Sequence, residues 1–404
     1  MFIMELQNLD KFYQIKGVPE FLKLIKGAIE KKEKIILYGD ADLDGSTSVV
    51  ILEEVLNFLG ARIAKVFFPD REKEGYGINE KSLLYLSKYA PGILISLDCG
   101  ITNFKETALA KKMGFRVWII DHHEAMPQKP QAEVVIDTKD AENLQDFFNL
   151  ANAGLIFYLT RMLLKEFKIK EKDFESLFNS HIVLTMIATI ADMMKVDQTN
   201  QFLIDKGLEL FPEDQRIGLK IISQQNETNE RFIRPKIQKI ISILNITKCK
   251  YRLTGSYRIL SAKNSGKARE LTNELISDQQ KRKEELNNFV EEIIKETKRG
   301  EDINSEIVFS VSKKYPISFA GSIASKVCGY FKKPTFIVGL SKDLARGSVR
   351  VPHNLDSIEA LKSVEEFLEN FGGHKAAAGF SSKKENLEKV KQGLNDYFLT
   401  LKND

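Results

Sequence analysis

Between about residues 34 and 137, short β-branched and aliphatic runs alternate with longer amphipathic stretches, the pattern of βαβ units that build a parallel sheet. The runs predict strands at 35–38, 62–68, 93–97, 116–120 and 134–136. Between the first two, Val50, Ile51, Val55, Leu56 and Leu59 recur at helical spacing and Gly60 supplies a stop, so a crossover helix is expected there. From 150 to about 250 the apolar periodicity lengthens and strand signals thin out, which predicts mainly helix. Residues 265–298 are rich in Lys, Glu, Asn and Gln with Leu271, Leu275, Leu286, Phe289, Ile293 and Ile294 interspersed, as in a long connecting helix. After Gly300 the alternation resumes at 306–311, 322–331 and 334–338. The expected architecture is α/β: a parallel-sheet domain over 1–262, a long helix over 263–300 and a smaller α/β domain over 301–404. No internal repeat or low-complexity tract interrupts it.

Composition narrows the class. Of the 404 residues, 43% are apolar and 29% charged, as in soluble globular chains of two or three domains. The 60 Lys and Arg against 56 Asp and Glu leave a net charge of only +4, so no global field draws a polyanion and any nucleic-acid contact must be local. Cys99, Cys249 and Cys328 are far apart and form no Cys-x-x-Cys pair, which argues against a disulfide framework or a zinc knuckle and for a reducing, cytoplasmic setting. The N-terminal residues lack the regions of a secretory signal. The longest apolar stretch, 182–194, is too short to span a bilayer and contains Asp192, so no membrane partner is expected.

Three acidic clusters share one kind of address, just past the carboxyl end of an expected parallel strand, where open α/β sheets bind ligands. They are Asp40, Asp42 and Asp44 in Gly39-Asp-Ala-Asp-Leu-Asp-Gly45, Asp98 before Cys99-Gly100, and Asp121-His122-His123. A calcium loop would open like the first cluster, but its twelfth position should be Glu and is Ile51. Alone, Asp98 reads as a turn residue and the His pair as an exposed loop. Together, with two of only five histidines adjacent, they predict a metal site. Carboxylates with an imidazole suit Mn²⁺ and tolerate Mg²⁺. A pair of ions bridged by one carboxylate would support phosphoester hydrolysis.

At these residues the sequence resembles the DHH phosphoesterases, closest to RecJ-like members, through the Gly-Asp-x-Asp-x-Asp-Gly loop, the Asp-Cys-Gly turn, the Asp121-His122-His123 triplet and Ala191-Asp192. The resemblance implies two Mn²⁺ ions, with Mg²⁺ as a substitute. Asp98 would bridge them, with Asp40 and Asp42 on one ion and Asp44, His122 and Asp192 on the other. His123 would face the scissile phosphate, so that His123, Asp98 and Asp121 form the catalytic set. Where many DHH phosphatases have a metal-binding His this chain has Tyr38, and Asp40 as its substitute is a RecJ-like trait.

Further matches are Pro69-Asp70-Arg71, the segment 74–77, Ala153-Gly154 and the segment 321–326. Gly372-Gly373-His374 and the small residues after it resemble the signature of the DHH-associated domain, implying that His374 contacts substrate. Paired glycines would let backbone amides approach a phosphate, although taken by themselves they read more readily as a helix C-cap after Asn370. Arg346 and Arg350 either clamp a phosphate or are exposed surface arginines.

The stretch 253–258 departs from the family's Asn-Ala-x-Gly-Arg element and Tyr315-Pro316 from its aromatic-His pair, which leaves end selection and polarity open. The chain ends soon after the Gly-Gly-His signature, so no OB-fold is expected and the grip on long strands should be weak. Lys248, Lys250, Arg252, Lys281, Arg282 and Lys283 are backbone-tracking candidates or simply solvated charges. The expected function is a two-metal exonuclease on single-stranded DNA or RNA, in company with replication or repair proteins. The alternatives are a hydrolase of short oligonucleotides, phosphorylated nucleotides or cyclic dinucleotides, and a replication scaffold.

Overall fold

The structure is a computed structural model that describes residues 9–124, 128–140, 144–225, 233–299, 305–340 and 344–403. The chain divides into two compact units, Met1–Gln279 and Gln280–Asp404. The division falls inside one helix, Ser265–Arg299, where the sequence suggested a connecting helix with a domain on either side.

All five expected strands of the first unit form: β1 Lys34–Gly39, β2 Arg62–Phe67, β3 Gly92–Leu97, β4 Phe115–Asp121 and β5 Val134–Asp137. They make one sheet in the order β2-β1-β3-β4-β5, every pair parallel. Strands such as Ile93–Leu97 are apolar almost throughout because both faces are covered. Ile36, Leu94, Val117 and Ile119 enter one core, while Ile35, Ile95, Trp118 and Ile120 enter the other. The crossover helix, Leu43–Phe58, packs against helices Asn152–Glu166 and Glu175–Ala191 and is buried on most sides, hence its lack of a polar stripe. Beyond these helices, β6 Cys249–Lys250 and β7 Leu253–Thr254 form a two-stranded ribbon.

The second unit holds a mixed sheet ordered β11-β12-β10-β9-β8. Its strands are β8 Val308–Ser312, β9 Thr335–Leu340, β10 Leu344–Arg350, β11 Asn370–His374 and β12 Ala377–Lys383. Only β8 and β9 are parallel. Helix Ile317–Phe331 lies over one face, through Phe319, Ile323 and Val327, and helix Leu387–Asn403 over the other, through Val390, Leu394 and Phe398. The helix cap considered for Gly372-Gly373 is overturned, because both glycines lie within β11. Gly373 has φ 143°, and a Cβ there would stand 2.5 Å from the Ala377 carbonyl oxygen, so the hairpin itself demands glycine. Among the described residues no helix is long and apolar enough to cross a membrane.

Candidate metal centre

The sheet order puts β3 between β1 and β4, so the carboxyl ends of three neighbouring strands carry Asp40, Asp98 and Asp121. Backbone bonds extend the ladder past the strands: Asp40 N–H donates to the Leu97 carbonyl at 3.1 Å and Asp98 N–H to the Ile120 carbonyl at 3.0 Å. Asp42 caps the crossover helix, accepting from Gly45 N–H at 3.0 Å. Gly45 is needed because a Cβ there would meet the Asp40 carbonyl oxygen at 2.4 Å. Asp44, buried in the first turn, accepts from the amides of Asn152 and Ala153 at 2.7 and 2.8 Å, at the N-terminus of helix Asn152–Glu166. Ala153 of the Ala153-Gly154 element thus supplies one of the two backbone donors to this carboxylate.

The side chains converge. Ligand atoms of Asp40, Asp42 and Asp98 lie within 4.8 Å of one another, as do those of Asp44, His122 and Asp192, and those of Asp98, His122 and His123. His122 Nε2 stands 3.2 Å from Asp98 Oδ1, 3.6 Å from Asp192 Oδ2 and 3.7 Å from Asp44 Oδ2. Asp98 is common to two of the three groups and occupies the left-handed region at φ 65°, a conformation that concentrates at functional sites. Asp121 accepts from the His122 and His123 amides at 2.8 and 3.2 Å and from Ile101 N–H at 3.0 Å. Its Oδ1 is also 2.8 Å from His123 Nδ1.

These residues suit a divalent cation on their own geometry. Both carboxylate oxygens of Asp98 and both ring nitrogens of His122 are buried without a hydrogen-bond partner among the described residues, an arrangement that is costly unless something else satisfies them. Burial, and then the charges of Asp44 and Asp42, push Asp98 well above the usual carboxylate range. Burial and Asp192 do the same to Asp44, and burial and Asp42 raise Asp192 to about 6. Burial depresses His122 to about 3, which keeps its imidazole neutral and able to donate a lone pair. The Arg71 guanidinium pairs with both Asp40 and Asp42, the second at 2.9 Å, standing where positive charge is wanted.

Burial opposes charge on His123 and Asp121 alike, but their mutual hydrogen bond outweighs it, raising the imidazole and lowering the carboxyl. Two further residues join the site without having been assigned a role from sequence. Tyr76 donates its hydroxyl to the Asp98 carbonyl at 3.2 Å and lies 3.1 Å from His123 Nδ1, and Arg71 lies over the Tyr76 ring at 5.4 Å. The sequence signal was their membership of the matched segments around 69–71 and 74–77; nothing in it revealed which partners they reach.

The remaining candidates lie in the second unit. Arg346 and Arg350 point to one face of β10, Arg346 exposed and Arg350 half-buried beside Gly321. Gly372, Gly373 and His374 are exposed on the edge strand β11, with β12 between them and β10.

Residues 34–190 match the family model of the DHH family, N-terminal domain, and residues 305–400 that of the DHHA1 domain. The chain belongs to the DHH family. Among relatives of this DHH chain, a single-stranded-DNA-specific exonuclease RecJ of Bacillus subtilis is 29% identical over 395 residues, 95% of this chain and 48% of the relative. The RecJ of Thermus thermophilus is 26% identical over 369 residues, 91% of this chain and 52% of the relative. The chain thus spans about half the length of these two relatives. A crystal structure of exonuclease RecJ bound to manganese superposes with TM-score 0.76 at 24% identity, covering 96% of both chains. The crystal structure of Thermus thermophilus RecJ in complex with Mn²⁺ gives 0.78 at 22% identity, covering 96% of this chain and 55% of the other. These likenesses establish the fold.

Proposed function

We propose that the chain is a two-metal phosphodiesterase that removes nucleotides from an end of single-stranded DNA, with Mn²⁺ as the preferred ion and Mg²⁺ as a substitute. The observation that carries the reading is the shared position of Asp98 between Asp40 and Asp42 on one side and His122, Asp44 and Asp192 on the other. The names of the relatives support the substrate, and the metals named with the solved structures support the ions.

Asp40, Asp42 and Asp98 would hold one ion and Asp98, Asp44, His122 and Asp192 the other. Bound ions would neutralise phosphate charge and make a water nucleophilic at neutral pH. The protein's own residues do the rest. Asp121 accepts from His123 and favours its charged form, so the imidazolium can donate to a non-bridging phosphate oxygen as charge builds there. The Asp44 carboxylate is fixed by two helix amides and therefore presents one orientation.

Within this reading the 1–262 segment is catalytic and 263–300 connects it to a substrate-holding segment, 301–404. There Arg346, Arg350, Gly372, Gly373 and His374 contact the strand. A cytoplasmic location, beside replication or repair proteins, belongs to the same reading.

Purified protein with Mn²⁺ and end-labelled single strands of DNA and RNA in several lengths tests it. The expected result is stepwise loss of nucleotides from single-stranded DNA. Turnover confined to strands of a few nucleotides would replace the reading with a short-oligonucleotide hydrolase, and no turnover of any strand would favour a scaffold.

A further inference from the structure

The turn between β6 and β7 is made by Tyr251 and Arg252, with φ 57° and 64°. Two successive left-handed residues are what a two-residue hairpin turn of this hand requires, and Asn-Gly normally meets the requirement. A bulky aromatic side chain in that region is a backbone outlier. Such strain persists only where the surroundings fix the chain, and here they do. The Arg252 guanidinium donates to Glu74 Oε2 at 2.5 Å and lies over the Phe67 and Tyr85 rings at 5.2 and 5.4 Å. Its carbonyl accepts from Phe68 N–H at 3.0 Å, and Cys249 Sγ donates to the Pro69 carbonyl at 3.3 Å. The ribbon is therefore fastened to the loop that delivers Arg71 to Asp40 and Asp42.

The fastening presents Tyr251 rather than burying it. Tyr251 is 81% exposed, although asparagine would suit this turn better. Lys250 Nζ stands 6.0 Å from the centroid of the Tyr251 ring, and Lys248 and Lys250 have side chains 72% and 52% exposed and pair with Asp278 and Glu274 at 3.5 and 3.4 Å. Exposed pairs of this kind add little stability and yield readily to a competing anion. An exposed ring with labile cations beside it in the chain, on a support joined to the carboxylate site, has the chemistry of a single-strand platform, in which the base stacks and the phosphates meet the lysines.

We propose that Tyr251 is a strand-binding residue that stacks on a nucleobase of the bound single strand, with Lys248 and Lys250 meeting its phosphates. The inference rests on the single-strand reading above and adds to it the surface that senses the base.

The test is fluorescence anisotropy with a labelled 12-nucleotide single strand of mixed sequence, in EDTA to stop hydrolysis, using the full chain. Tyr251→Phe should bind as the parent does. Tyr251→Asn should bind about tenfold more weakly, the size of one base–aromatic stack, while melting at the same or a higher temperature because asparagine tolerates the left-handed turn. A strand in which abasic sites replace the nucleosides should bind the parent about tenfold more weakly, and Tyr251→Asn should then add nothing. Binding by Tyr251→Asn within twofold of the parent overturns the inference, as does an undiminished loss on the abasic strand. Should the parent protein neither bind nor hydrolyse single strands with Mn²⁺, the single-strand reading falls first; if the parent is active and only the Tyr251 comparison fails, this inference falls alone.

Discussion

His123 and His122 are adjacent in sequence and opposite in character. His122 is buried among Asp98, Asp44 and Asp192 and stays neutral, whereas His123 is 42% exposed at its side chain, bonds Asp121 and is raised in pKa. The difference predicts different consequences of mutation. His123→Ala should lower kcat by about 10²- to 10⁴-fold, the usual range for a proton-handling or charge-stabilising side chain, while Mn²⁺ uptake remains as in the parent. His122→Ala should lose uptake as well. Parallel measurement of turnover and bound manganese checks both, and an equal loss of metal in the two variants would contradict the division of roles.

Asp40, Asp98 and Asp121-His122-His123 were legible in the sequence because each stands at or just past the end of an apolar strand, whereas Asp192 ends a helix and was marked only by the family resemblance. The sequence did not disclose Tyr76 or Arg71, whose contacts join residues 47 and 31 positions apart and exist only once the sheet is assembled.

The crossover helix is held by a second set of ionisable groups, remote in role from the first. Glu54 accepts from His181 Nε2 at 2.9 Å and from two guanidinium nitrogens of Arg216, each at 2.9 Å, tying this helix to Glu175–Ala191 and to the segment before Ile217–Gln225. Burial depresses His181 to about 4. Burial opposes ionisation of Glu54 too, but the hydrogen bonds from His181 and Arg216 outweigh it and hold the carboxyl at about 2. Both pKa values lie below their unfolded values, so the unfolded chain binds more protons. The stability these two groups contribute is therefore full above pH 6.5, falls between pH 6.5 and about 4 as His181 titrates in the unfolded chain, and falls further between 4.5 and about 2 as Glu54 follows.

Urea unfolding should show the His181 share as a difference: the stability of the parent relative to His181→Phe should fall by on the order of 3 kcal/mol from pH 6.5 to 4, and a difference that does not vary with pH would refute the assignment. Glu54→Gln should cost about 3 kcal/mol at pH 7, because it leaves the Arg216 guanidinium buried without its counter-charge.

Element by element, the parallel strands were legible because they are β-branched and continuous. The strands β10 to β12 were not: Arg346-Gly-Ser-Val-Arg350 and the glycine- and alanine-rich 370–379 lack that composition, and their pairing is fixed by a register that only the folded sheet supplies.

Taken whole, the molecule carries a DHH domain and a DHHA1 domain in two compact units that share the helix Ser265–Arg299. If the second unit holds substrate, His374→Ala should weaken binding of a single-stranded oligomer by about three- to tenfold, the scale of one lost hydrogen bond, and leave manganese uptake unchanged. Unaltered oligomer affinity would remove His374 from the substrate surface. The long helix between the units was readable from its composition, whereas the boundary inside it was not, since a helical repeat has no mark where packing partners change.

If side chains from Asp40 to Asp192 together hold a pair of divalent ions, the purified chain must take up two of them. Equilibrium dialysis of the purified chain against Mn²⁺, followed by elemental analysis, tests it most directly. Two ions per chain are expected for the parent protein, with loss of both sites in a folded Asp98→Asn variant. A parent that takes up fewer than two, or a variant that retains both, would contradict it.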